Sequence, residues 1–575
     1  MTDNRPYLDL PATPADAPPP KPRSAATLIV LRDSPQGMQV LMARRAERAN
    51  DQNSGAAVFP GGLLDVSDRG HYERCNGLDD VAASARLGLP SDGLHYWVAA
   101  VRECFEEAGL LFATDAADAA SALVDLSKLP TDELVTLRRA LHANAVGMDA
   151  VCDRFGVRLA TDRLAYYSHW ITPKGLPKIF DTRFFITEAP AGQTAVADAT
   201  ETAELLWMTP AAVMDKANGL RLMNVTEITL KHLATFVRAA DAVAWARAQT
   251  TVPLNRPRIG LSAKGKRPQN RSDWAYAELG RIDPEGKGTA SIELTPGVPV
   301  WLSPRVLRVT ADNGSFMTGP GTNAYFIGAP GSDDWALLDP GPDDAEHVKA
   351  LLAAAPGRIT RILVTHTHKD HSPAAASIAK ATGAPTFGQM ARHAEFQDQS
   401  FQPDHPLEDG DVLGLGKGVT LRVLHTPGHA SNHLCYLLEE EKLLFTGDHL
   451  MQGSTVVIVP PDGDMAVYLA QLRRLLDEDL DWLAPGHGFL IDEPHQVVRK
   501  TVAHRLGREA KVLAALQAQA SHEPVAEDAL LTEVYADTPK HLHAMALRSL
   551  RAHLLKLRGD GLAAGEMGGH WRLSA

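Results

Sequence analysis

The sequence predicts an α/β chain of several domains, and three observations predict it. The chain has 575 residues, whereas a single hydrophobic core stops growing at roughly 250–300. Short apolar runs ending in Gly- or Pro-bearing turns alternate with helical stripes, the pattern of strands interleaved with helices. After about residue 500 the strands give way to three helical segments and a short hairpin signal.

Composition bounds the class. With 45% hydrophobic and 22% charged residues the chain reads as globular and soluble. A net charge of −13 argues against tight nonspecific nucleic-acid binding by the whole molecule, leaving a local basic face open. Cys75, Cys104, Cys152 and Cys435 show no pairing pattern, so reduced thiols are expected. No apolar run reaches the length of about 18 that spans a membrane. The N-terminus lacks the apolar segment of a signal peptide. The expectation is a cytoplasmic protein without membrane contact.

In chain order, residues 1–24 carry seven prolines, six of them from Pro11 to Pro22, and read as a disordered or extended arm. Structure begins at Ala25–Leu31, a buried-strand signal with Val40–Arg44 as its hairpin partner. Val58-Phe59-Pro60-Gly61-Gly62 is a turn. From Trp97 to Leu110, apolar positions 98, 101, 105 and 108 make a helical stripe. Glu103, Glu106 and Glu107 fall on the adjoining face with no lysine among them. Clustered carboxylates suit a hard cation together with substrate phosphates.

Gly61, Gly62, Arg102, Glu103, Glu106, Glu107 and Gly109 resemble the box of the Nudix hydrolases, which implies an α/β/α sandwich over 25–249. The box is interrupted here: 33 residues separate Asp68 from Arg102, and Asp replaces the usual Glu. An interrupted box, with Trp170-Ile171-Thr172-Pro173 and Phe180-Asp181-Thr182-Arg183 downstream, is similar to the branch that cleaves coenzyme A and acyl-CoA. The resemblance implies Mg2+ or Mn2+ on Glu106 and Glu107 and a substrate-binding turn at Gly61 and Gly62. It makes Glu103 a further ligand or the base, with Arg102 orienting it. Glu201 and Glu204 are candidates for a further ligand. The insert 69–96 is read either as a pocket cover or as a surface excursion. Helices are expected over 116–165, 210–217 and 225–248, and a Pro-bearing linker over 250–299.

The densest chemistry follows the apolar run Ile362-Leu363-Val364: Thr365-His366-Thr367-His368-Lys369-Asp370-His371. Three histidines and an aspartate within six residues at a strand tip are ligands for first-row divalent metals. His429, Asp448 and His487 each follow an apolar run in a Gly- or Pro-bearing turn. This ordered series resembles the metallo-β-lactamase fold hydrolases, implying an αβ/βα sandwich over 300–499. The resemblance gives His366, His368 and His429 to one Zn2+, Asp370, His371 and His487 to a second, and makes Asp448 their bridge. Asp370 is carried both as ligand and as catalytic residue. Of the remaining histidines, His347, His393, His405 and His495 are read as surface residues, while His425 and His433 are candidate partners of the ligands.

Over 500–575 the helix–helix–helix–hairpin order is that of a small winged helix. Together with His504-Arg505-x-x-Arg508-Glu509 and Thr538-Pro539, it is similar to the β-lactamase-like protein 2 family. That family includes endoribonucleases acting on single-stranded RNA. Arg548, Arg551, Lys556 and Arg558 are unopposed by acids between 544 and 558. The expected function is a two-headed metal-dependent hydrolase: a diphosphatase for a coenzyme A-like small molecule, joined to a dinuclear-zinc hydrolase of RNA or of a thioester. The alternative is a thioesterase of glyoxalase II type whose first domain senses nucleotides without catalysis. Oligomeric state stays open.

Overall fold

The computed structural model describes residues 20–46, 55–118, 120–198, 202–393, 397–416, 418–518 and 523–574; most of the expected arm lies outside them. The chain divides into two compact units. The first comprises 1–259 with 263–271 and 285–288, and the second comprises 260–262, 272–284 and 289–575.

The first unit is built on a nine-stranded mixed sheet. Its long strand Arg23–Ser34 pairs antiparallel with Gly37–Arg45 and parallel with Phe180–Glu188. Strand side chains alternate between faces, so Leu28 and Val30 feed one core while Ile29 and Leu31 feed the other. The Leu94–Ala108 helix fills the first core; helices Asn224–Leu233 and Ala239–Ala248 fill the second. The result is the α/β/α sandwich.

Two helical expectations need correction. The stretch 116–165 holds two helices, Thr131–His142 and Met148–Phe155, closed off by a ladder of Ala113–Asp115 with Val157–Leu159. The stretch 225–248 breaks into two helices because Trp245 folds back onto His232, with ring centroids 4.4 Å apart. The insert 69–96 is no loose excursion: Cys75, Ala83 and Leu87 pack into the same core as the Leu94–Ala108 helix.

The second unit begins inside the span read as a linker. There Tyr276–Ile282 is helical, and its Glu278 pairs with Arg308 through two buried bonds of 2.6 and 2.9 Å. Two mixed sheets of seven and six strands follow. Leu338, Leu363 and Tyr325 of one meet Leu421, Val423 and Phe445 of the other in a shared core. Helices Ala345–Ala354 and Ala374–Thr382 cover the outer face of the first sheet; Met465–Arg474 covers that of the second. This is the αβ/βα sandwich. Ligand-bearing turns therefore gather at one end of the strands, where Leu363, His425, Gly447 and Pro485 finish them.

Helices Pro494–Gln517, Glu527–Val534 and His543–Gly559 with a three-stranded sheet form the C-terminal module. Its core closes around Trp571, which is fully buried. Among the described residues no helix is long and apolar enough to cross a membrane.

Candidate metal centres

In the first unit the interrupted box closes in space. Arg102 Nε and Nη2 donate to the two oxygens of Asp68 at 2.8 and 3.0 Å, and Nη2 also reaches the Leu63 carbonyl at 2.8 Å. Asp68 itself is fully buried. Arg102 Nη1 then reaches Glu103 at 2.9 Å and Glu106 at 3.2 Å. One guanidinium thus ties the acid before the insert to the carboxylates after it. The Gly61 amide donates to Glu107 at 3.0 Å, and a Cβ at Gly62 would stand 2.5 Å from the Glu103 carboxylate, so a side chain there would displace that carboxylate.

Gly61, Gly62, Arg102 and the three glutamates, but not Asp68, line a cavity of about 810 Å³. Its acidic end meets an apolar wall of Phe59, Trp170, Leu176, Phe180 and Phe184, with Arg23 and Arg45 also lining it. No residue of the insert 69–96 lines it. Burial pushes the Glu103 carboxyl up to about 7 against the pull of Arg102, and raises Glu106 as well. His142 was not foreseen: it lies 4.0 Å from Glu106 and 3.8 Å from Asp198. Glu204 pairs with Arg44 at 3.4 Å and does not line the cavity, and Glu201 lies outside the described residues. Among the described residues the three Glu carboxylates do not form one tight cluster: Arg102 bonds Glu103 and Glu106, while Glu107 accepts from the Gly61 amide.

The second unit brings all seven of its predicted ligands together in two groups. The ligand atoms of His366, His368 and His429 lie within 4.8 Å of one another, as do those of Asp370, His371, Asp448 and His487. His368 Nδ1 is 2.9 Å from His366 Nε2 and 3.1 Å from His429 Nε2. That is close to the separation of roughly 3.3 Å that nitrogens take around a tetrahedral zinc at about 2.0 Å. Asp448 faces both groups, with Oδ1 3.3 Å from His487 Nε2 and Oδ2 3.7 Å from His429 Nε2. Buried His371 Nε2, His487 Nε2 and Asp448 Oδ1 have no hydrogen-bond partner, a cost that a cation among them would remove. The donor set therefore fits divalent metal.

The tautomers are fixed from behind. His429 Nδ1 meets the Val457 carbonyl at 2.9 Å, and His487 Nδ1 the Gly321 carbonyl at 3.1 Å, leaving Nε2 of each to face the site. His371 Nδ1 meets Asp339 Oδ2 at 2.9 Å. Asp339 also accepts from the Thr365 amide at 2.7 Å and hydroxyl at 2.8 Å. In the sequence Asp339 only ends the apolar run Ala336-Leu337-Leu338 ahead of the Pro340-Gly341 turn. His433 Nε2 accepts from the Asp448 amide at 3.2 Å, whereas His425 turns to the Ser431 carbonyl at 3.2 Å. His347, expected at the surface, is buried against the Pro340 carbonyl at 3.0 Å. Burial and neighbouring imidazoles hold His366 well below the usual histidine range, so it is neutral. Burial opposes protonation of His371, but Asp370, Asp339 and Asp448 outweigh it and raise it.

Comparison with known proteins matches this geometry. The metallo-beta-lactamase superfamily model covers residues 317–487. A Caenorhabditis elegans beta-lactamase-like protein 2 homolog is 30% identical over 264 residues, 45% of this chain and 86% of that one. The chain belongs to the metallo-β-lactamase superfamily. An atrochrysone carboxyl ACP thioesterase of Aspergillus chevalieri is 31% identical over 278 residues, covering 47% of this chain and 85% of that protein. Such relatives span under half of this chain. The rest carries other domains: the NUDT19 Nudix domain model covers residues 79–220, and the beta-lactamase associated winged helix model covers 527–571. A NUDIX hydrolase structure from Alicyclobacillus acidocaldarius aligns at 25% identity and a TM-score of 0.34, over 40% of this chain and 98% of that one. A metallo-beta-lactamase family protein from Thermus thermophilus aligns at 24% and 0.40, over 48% and 100%. The protein is thus a metal-dependent hydrolase in which a metallo-β-lactamase domain is joined to a Nudix domain and a winged helix.

Proposed function

We propose that the metallo-β-lactamase domain hydrolyses a thioester and that the Nudix domain cleaves the diphosphate of a coenzyme A-like molecule. The observation that carries the first half is the seven-residue constellation with Asp448 facing both groups. Divalent cations held there would supply Lewis acidity and an acidified water. His366, His368 and His429 would hold one, His371, His487 and Asp370 the other, with Asp448 between them. Asp370, the most exposed of its group, would hold a water proton at its carboxylate. Water addition to the acyl carbon then releases a thiol and a carboxylic acid. Support for a thioester comes from the acyl-carrier-protein thioesterases among the relatives.

Single-stranded RNA finds less support. Of the four basic residues read as an open face, Arg551 bonds Glu527 at 2.7 Å, and Lys556 bonds Glu509 at 2.8 Å and Asp560 at 2.6 Å. Arg558 donates to the Gly565 carbonyl at 3.1 Å.

In the Nudix domain Mg2+ or Mn2+ would sit with Glu106 and Glu107, while Arg102 fixes Glu103 beside them. The cavity's apolar wall suits the acyl-pantetheine arm, and Arg23 and Arg45 suit phosphates. The test is a substrate panel on the metal-loaded full chain: acyl-CoA, free coenzyme A, acyl-pantetheine and single-stranded RNA. Thioester hydrolysis is expected to persist in Glu107→Gln and to vanish in Asp448→Asn. Diphosphate cleavage is expected to persist in Asp448→Asn and to vanish in Glu107→Gln. RNA cleavage with untouched thioesters would overturn the first half. Binding of coenzyme A without turnover would hand the second half to the nucleotide-sensor alternative.

A further inference from the structure

The Pro494–Gln517 helix serves two cores. Toward its start Val498 packs with Met465, Tyr468 and Leu469 of the metallo-β-lactamase domain; toward its end Val512, Ala515 and Leu516 pack around Trp571. Arg505 stands between these stretches and is 3% exposed. A guanidinium stays charged, so burying one is costly unless its partners compensate. Arg505 Nη2 donates to the Val456 carbonyl, and its Cζ lies 5.6 Å from the centroid of the Tyr468 ring.

Both contacts lead to the metal ligands. Val456 precedes Val457, whose carbonyl accepts from His429 Nδ1 at 2.9 Å. The Tyr468 hydroxyl donates to the carbonyl of His449, the residue after Asp448, at 2.9 Å. Gly428, before His429, packs against the backbone of Tyr468, where a Cβ would stand 2.4 Å from the Tyr468 Cα. One buried cation therefore braces the backbone segment that orients His429 and the tyrosine whose backbone supports the turn before His429 and whose hydroxyl holds the turn after Asp448.

We infer that Arg505 is a positioning residue that holds His429 and Asp448 toward the divalent-metal site, so that the metal centre depends on the helix it shares with the C-terminal module. The inference rests on reading the seven-residue site as a metal centre. The test titrates Co2+ into metal-stripped full chain and reads both affinity and the d–d absorption. Arg505→Met is expected to weaken Co2+ binding by about tenfold and to shift the d–d bands, as loss of outer hydrogen bonds around a ligand does. Arg505→Lys, which keeps the charge without the fork, is expected to recover part of that affinity. A purely packing role would lower the melting temperature while leaving affinity and bands at wild-type values, and that result overturns the inference. If Arg505→Met does not fold, wild-type bands and affinity in Arg505→Lys overturn it equally. Wild-type protein that takes up no Co2+ sinks the metal-centre reading itself, whereas equal uptake by wild type and Arg505→Met sinks only the role of Arg505.

Discussion

Asp339 sits at φ +49°, a backbone conformation that costs a non-glycine residue about 1–3 kcal/mol. The strain is offset locally by three hydrogen bonds, two from Thr365 and one from His371. The same carboxylate orients His371, so weakening it should cost metal binding as well as stability. Asp339→Asn is expected to lower metal affinity about 10–100-fold in chelator competition. Asp68 plays the matching part in the Nudix domain. Asp68→Asn, which leaves the buried Arg102 half-paired, should cost about 3 kcal/mol in denaturant unfolding. That these seven side chains would gather was legible in the sequence because His and Asp at those spacings have few other uses. Asp339 was not, because its partners Thr365 and His371 lie 26 and 32 positions away. The link between Asp68 and Arg102 was legible only as an interrupted box, because 33 residues separate them; the direct ion pair needed the fold.

At the scale of the element, periodicity located the Leu94–Ala108 helix and the C-terminal helices, and it failed where tertiary contacts decide. The break after Leu233 answers to rings meeting across the turn, which no local pattern records. The basic face of His543–Gly559 looked open because its acids lie outside 544–558, in Glu509, Glu527 and Asp560. Glu509 turns this into a pH prediction. Burial raises its carboxyl, but bonds from His553 and Lys556 outweigh that and hold it below the usual range. The native state therefore binds fewer protons there than the unfolded chain. The stabilisation is full above the ordinary glutamate value and is lost as pH falls through the lowered native one. Urea midpoints of the full chain, followed by tryptophan fluorescence, should drop on acidification in wild type and drop less in Glu509→Gln.

For the whole molecule, two chemistries on separate constellations should be separable by single substitutions. Glu107→Gln is expected to silence diphosphate cleavage while thioester turnover keeps its wild-type kcat/KM, measured on the same preparation. All of this depends on five imidazoles and two carboxylates acting as one dinuclear centre. The direct measurement is metal content per chain after gel filtration, by elemental analysis, for wild type and His487→Ala. The account predicts two tightly held divalent ions in wild type, fewer in the variant, and thioester turnover that disappears on chelation and returns with added metal. Equal metal content in both proteins, or turnover that survives exhaustive chelation, would contradict it.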